Sequence, residues 1–290
     1  MKHLLFIITA LLILSCSDKK KQTQDEPKVK ENDSLSSTDQ YFSEEELEYD
    51  QEKTKSIKRQ HLITIKDDKV ALQEVIVDKR FTKEADQFVL DYKYPYLNED
   101  ANPQFKVFND AFQEKYLNIE KTENEILDDR EMLCDSINGS IQKDKRIMNY
   151  KVYQSKNDLL SILIYKENYY SGMKHSTYSF DCLNFDLKKH QFLGFDAIFK
   201  PGSQGVILNK INTIITTKIN KGEMYYDCWE ITEGDFGVYK DNFVIKDDAI
   251  LYYFDDCVVC PSYTGTYYVS IPIKDIMDYM IAFSETAEVS

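Results

Sequence analysis

The sequence predicts an α+β fold: a mainly antiparallel sheet with packed helices, arranged as two small adjoining modules. Three observations predict it. Short alternating segments rich in Tyr, Phe and β-branched residues recur along the chain, as strands on a half-buried sheet require. After Pro103 and after Pro201, apolar residues instead recur at helical spacings. The resulting order is strands, helices, strands, helix, strands, helix, without the strict alternation of a parallel α/β fold.

Leu62–Ile65 and Glu74–Val77 read as short strands, and Gln87–Leu97 alternates with a proline, Pro95, near its end, which an edge or strand terminus tolerates. Pro103 opens a helix whose face is Phe105, Phe108, Phe112 and Ile119. Ile126, Leu133, Ile137 and Ile141 predict a second helix. Met148–Tyr153 and Leu159–Tyr165 flank a hairpin-like connection, and Thr177–Leu187 is a further strand, with a turn leading into Phe192. Pro201 precedes a helix with the stripe Val206, Ile207, Lys210, Ile211, Ile214 and Ile215. Glu223–Gly237 reads as irregular. Strands then follow at Asn242–Ile245, Ala249–Phe254 and Thr266–Ile271, and Pro272 opens a short helix, Ile273–Met280.

Residues 1–16 carry a different message. Lys2 and His3 precede an apolar run, Leu4 to Leu14, too short to span a bilayer, which needs roughly 20 apolar residues. Ile13-Leu14-Ser15-Cys16 resembles the bacterial lipobox, so residues 1–16 are expected to be a lipoprotein signal peptide with Cys16 lipidated. Residues 17–60 are polar and charged, and are expected to be a disordered tether. The folded modules are expected at 61–185 and 186–285. With Asp18 followed by three lysines, the protein is expected on the periplasmic side of the outer membrane.

The net charge is −14, and loss of Lys2 with the leader takes it to −15. Such a surface repels phosphate backbones and attracts basic partners, so nucleic acid is not an expected ligand. Without Cys16, five cysteines remain: Cys134, Cys182, Cys228, Cys257 and Cys260. Their pairing is left open. Cys257 and Cys260 have the C-x-x-C spacing, but no second ligand pair supports zinc, and the pair lies between two strands instead of opening a helix. A structural pair, disulfide-bonded or buried, is expected there. No G-x-S-x-G elbow and no phosphate loop are present, and the three mature histidines, His61, His175 and His190, lack metal-ligand spacing. No cofactor and no metal are expected. His175, in a Gly-containing turn after Tyr169 and Tyr170, is the best single polar candidate. Tyr178, Tyr263, Tyr267 and Tyr268 are further aromatic candidates.

Three blocks resemble one known family. They are Tyr169-Tyr-Ser-Gly-Met-Lys-His175; Leu183-Asn-Phe-Asp-Leu187 with Phe195-Asp-Ala-Ile-Phe-Lys-Pro-Gly-Ser203; and Asn242-Phe243 through Phe254 with Pro261, Gly265 and Val269-Ser-Ile-Pro272. Tyr94-Pro-Tyr-Leu97 and its following helix look like the smaller module that usually precedes them. Together they resemble the RsiV-like and PdaC-associated extracellular module family. The resemblance covers roughly residues 85–283. It departs from the family pattern at Met173, Lys174 and Val258, and a fused deacetylase domain is not expected. It implies an envelope binding module, not an enzyme, that takes cell-wall glycan or a basic protein such as lysozyme. Tyr169, Tyr170, His175 and Tyr263 are the expected ligand-binding residues. A cell-wall hydrolase or deacetylase, or a structural lipoprotein of an envelope complex, are the alternatives.

Overall fold

The computed structural model describes residues 44–133, 142–155, 158–173 and 175–281. Cys16 with the leader, the first part of the expected tether, and Cys134 lie outside the described residues. The chain begins with α1 (Glu44–Thr64), followed by β1 (Ile76–Glu84) and β2 (Phe88–Leu97). A 3-10 turn at Pro103–Phe105 leads into α2 (Lys106–Tyr116) and α3 (Ile119–Leu133). Strands β3 (Asp144–Ser155), β4 (Leu159–Tyr169), β5 (Thr177–Asp186) and β6 (Gln191–Phe192) then complete a six-stranded sheet ordered as in the sequence. Helices α4 (Phe195–Ile198), α5 (Gln204–Asn220) and α6 (Glu233–Tyr239) precede a three-stranded sheet of β7 (Phe243–Ile245), β8 (Ala249–Tyr253) and β9 (Tyr268–Pro272). The described residues form one compact unit. The fold class is α+β, and every strand pair is antiparallel except β2–β3. That parallel pair is reached through α2 and α3, the long crossover such a pair needs. Pro95 falls where β2 has run past β3, so its missing N–H costs no ladder bond.

Strand β4 holds the fold together because both its faces are buried. Leu160, Ile162 and Ile164 pack with Phe105, Phe108 and Phe112 and with Ile126 of α3. Leu163 and Tyr165 point the other way, into a cluster with Tyr178, Phe180, Val244, Tyr253 and Tyr267. Alternation between two apolar faces is what turns Leu159–Tyr165 into a near-continuous apolar run. The remaining core lies under α5, where Ile207, Leu208, Ile211 and Ile215 are buried against the second sheet.

The sheets join through side chains. The outer edge of β5 presents its N–H groups to no strand over most of its length. Tyr178 N donates to Asp256 Oδ2 and Phe180 N to Asp255 Oδ1, both at 2.8 Å, and Cys182 N to Asn242 Oδ1 at 2.7 Å. Asn184 Nδ2 donates back to the Phe243 carbonyl at 2.9 Å, and Ile245 N to Ser161 Oγ at 3.0 Å. An exposed edge would be a template for aggregation; here it is closed without a further strand.

Several expectations are corrected. The last third of the expected tether is helical: α1 starts at Glu44, so folded structure begins well before His61. The same helix runs through Leu62–Thr64, read as strand. A four-residue alternation is a weak signal beside the strong helix formers upstream of it. Strand β6 belongs to the first sheet although it lies past the expected module boundary at 185/186. Glu223–Gly237 contains the start of α6, whose Thr232 and Asp235 form a reciprocal capping box. The terminal helix is two 3-10 turns, Ile273–Asp275 and Met277–Tyr279. Cys257 and Cys260 are not a pair: Cys260 is disulfide-bonded to Cys228, and Cys257 is exposed and free.

Candidate functional site

Helix α1 buries the wrong residues for an ordinary packing helix. Lys55 is 3% exposed, while Ile57 two positions on is 60% exposed. Among residues 51–64 the only buried apolar side chain is Leu62. The reason is the surface beneath. Glu167 on β4, Tyr178 on β5, and the loop from Asp255 to Gly265 after β8 form a groove of carboxylates, phenols and carbonyls.

Lys55 Nζ donates to the Ser176 carbonyl at 2.9 Å and to Ser262 Oγ at 2.7 Å. It lies 3.6 Å from Asp256 Oδ2 and 4.6 Å from the Tyr178 ring centroid. A desolvated ammonium is costly unless it is compensated; here two of its donors are hydrogen-bonded and its charge faces Asp256 and the Tyr178 ring. One turn on, Arg59 Nη1 donates to Glu167 Oε1 at 2.6 Å and to Tyr178 OH at 3.0 Å. Between them Lys58 sits over the Tyr225 ring, 4.6 Å from its centroid, and donates to the Thr264 carbonyl. Gly265 makes that approach possible: its φ is +59°, and a Cβ there would meet the Lys58 side chain at 2.8 Å. Burial raises the Asp256 carboxyl above its ordinary 3.8, with Lys55 and the Tyr178 N–H acting against the rise. Burial also pushes the Tyr178 phenol up to about 12, so it stays neutral.

The four expected ligand-binding residues divide between regions. His175 Nδ1 lies 3.0 Å from Glu52 Oε1 of α1, at the upstream end of the groove. Tyr263 borders the downstream end. Its hydroxyl donates to Asp227, which holds the phenol up to about 12, and its ring meets Tyr225 edge-on at 6.1 Å. Tyr169 and Tyr170 are elsewhere. Tyr169 OH donates to Gln142 Oε1 at 2.8 Å. The Tyr170 ring covers Arg146 at 4.1 Å, where Arg146 and Arg130 bracket the buried Asp144. Tyr178 and Tyr267 are buried in the core beside the groove, and Tyr268 packs on Tyr253.

Sequence reasoning did not single out Lys55, Arg59, Glu167 or Asp256, because a charge run ordinarily reads as a solvated face. It also passed over an aromatic cluster within Glu223–Gly237. Tyr226 is 83% exposed and Trp229 is 42% exposed. Trp229 is held by Nε1 donating to the Val258 carbonyl at 2.8 Å, next to the Cys228–Cys260 bridge. Among the described residues no group of three His, Cys, Asp or Glu side chains is placed to hold a metal ion.

No curated protein matches the chain. Among the solved structures that share its fold are two from bacteria. One, a DUF3298 family member from Bacteroides fragilis, is 16% identical, with a TM-score of 0.51 over 71% of this chain and 93% of that one. The other, a DUF3298 family protein from Pseudomonas aeruginosa, is 13% identical, with a TM-score of 0.51 over 72% of this chain and 96% of that one. Residues 196–274, from α4 to just past β9, match the family described as "Protein of unknown function (DUF3298)".

Proposed function

We propose that this chain is a lipid-anchored protein of the bacterial envelope whose folded part binds a basic partner protein, lysozyme-like in charge, without turnover. The observation that carries the reading is the environment of Lys55. A carboxylate, a hydroxyl, a carbonyl and a ring face converge on one buried ammonium. A groove built this way recognises lysine and arginine side chains, and the −14 charge of the chain draws a basic protein toward it. The lipobox-like Ile13–Cys16 supports the anchoring. Among the described residues no helix is long and apolar enough to cross a membrane. The resemblance to RsiV-like and PdaC-associated modules supports a role at the cell wall.

A second ligand class, cell-wall glycan, is favoured by the exposed Tyr226 and Trp229, since flat aromatic faces open to water suit the apolar faces of sugars. Calorimetric titration with lysozyme and with muropeptides at low salt tests both. Lysozyme binding should weaken with added salt and with Asp256→Asn, whereas muropeptide binding should depend on Trp229. Absence of heat with either ligand rejects the reading, and release of acetate or reducing ends from peptidoglycan would replace it with an enzymatic one. For the anchor, Cys16→Ala should release the protein from the membrane fraction or stall its processing; complete retention after signal cleavage would reject it.

A further inference from the structure

The groove described above is full. We propose that it is a receptor for a helix carrying cations at positions i, i+3 and i+4, that α1 is its resident ligand, and that a basic helical segment of a partner protein exchanges with α1. Only the partner's identity rests on the function proposed above.

Three observations carry the inference. Lys55, Lys58 and Arg59 have the spacing that places side chains on one helix face, and each meets its own polar partners, with Tyr178 shared between Lys55 and Arg59. Lys55 meets Asp256, Ser262 and the Ser176 carbonyl; Lys58 meets the Thr264 carbonyl and the Tyr225 ring; Arg59 meets Glu167 and Tyr178. Second, the docking is polar. Between 51 and 64, Leu62 alone brings a buried apolar side chain, and Ile57 and Ile63 face water. A helix held by ion pairs and cation–π contacts is weakened by salt in a way an apolar interface is not. Third, departure of α1 would take the cations Lys55 and Arg59 away from Asp256 and Glu167, whose side chains are 9% and 14% exposed with the helix in place. Carboxylates in such a place demand replacement cations, so the vacated groove selects a basic helix over an apolar or acidic one. Glu52, which meets His175 at 3.0 Å, closes the upstream end without adding an apolar anchor.

Two measurements test this. The first is hydrogen exchange on the unaltered mature chain at about 0.1 M and about 1 M salt, over which the Debye length falls from about 10 Å to about 3 Å. Protection of amides in 51–64 should drop roughly tenfold at high salt while β4 and β5 keep theirs. If α1 amides exchange only together with β4, the helix is an integral part of the fold and the proposal is wrong. The second uses a fluorescent peptide of residues 44–65 and the full chain carrying Lys55→Glu and Arg59→Glu. The peptide should bind this variant about tenfold more tightly than the unaltered chain, whose own α1 competes at a high effective concentration. A peptide with alanine at 55, 58 and 59 should not bind. Equal binding to both chains, or binding to neither, overturns the proposal. Should the variant fail to melt cooperatively, the exchange experiment still decides. If α1 detaches and the peptide binds while lysozyme does not, the functional reading fails and this inference stands.

Discussion

Asn242 shows how much of this fold hangs on single polar residues. Its Oδ1 accepts the Cys182 N–H at 2.7 Å, and its Nδ2 donates to the Phe180 and Tyr253 carbonyls at 2.9 Å each. Asn242→Ala would leave three backbone groups at the sheet junction without partners. Each costs roughly 1–3 kcal/mol when buried, so a loss of about 3 kcal/mol is expected in urea unfolding. Lys55 gives a pH-dependent case. Burial raises the Asp256 carboxyl above 3.8, so the folded state binds that proton before the unfolded state does. The contribution of this group to stability therefore falls as pH rises from 3.8 through the folded value. Lys55→Ala removes the counter-charge. Its cost should be largest at neutral pH, about 3 kcal/mol by analogy with broken buried pairs, because Asp256 is then ionised without its counter-cation. The cost should shrink as pH falls through the folded value toward 3.8. Melting of both proteins across this range checks the sign.

Among the elements, α6 is seven residues long and too short to persist by itself. It is held by Phe236, which is fully buried, and by its cap. Thr232 Oγ1 accepts the Asp235 N–H at 3.1 Å, and Asp235 Oδ2 accepts from Thr232 N at 3.3 Å. Thr232→Ala is expected to cost about 1 kcal/mol, read from the denaturation midpoint. The S/T-x-x-D spacing was present in the sequence but was submerged in a segment with four aromatics and no apolar period. The helix face of α2 was legible for the opposite reason. Phe105, Phe108 and Phe112 recur at spacings of three and four, and all three are buried.

At the scale of the molecule, the Cys228–Cys260 bridge ties the aromatic loop after α5 to the loop after β8 across a separation of 32 residues. A loop of that length is worth about 3–4 kcal/mol in the chain-entropy account. Cys228→Ser should therefore lower the unfolding free energy by about 3 kcal/mol, and a reductant should lower that of the unaltered chain by a similar amount. The C-x-x-C spacing suggested a shared structural role for Cys257 and Cys260, with the pairing left open. Three-dimensional proximity overrode it: Trp229 N donates to the Val259 carbonyl at 2.9 Å, which holds Cys228 against Cys260 and leaves Cys257 facing solvent.

The sequence by itself determined the α+β class, the strands β2 to β5 of the first sheet, and the α2 and α5 faces. These depend on periodicity and local chemistry, which a linear chain displays. The tertiary structure decided everything that joins distant segments: the docking of α1, the disulfide, and the closure of the β5 edge by Asp255, Asp256 and Asn242. Arg59 and Glu167 are 108 positions apart, and Lys55 and Ser262 are 207 apart. A lysine that will be buried among such partners has the same local sequence as one that stays in water. Only the fold supplies the carboxylates and phenols that make its burial favourable.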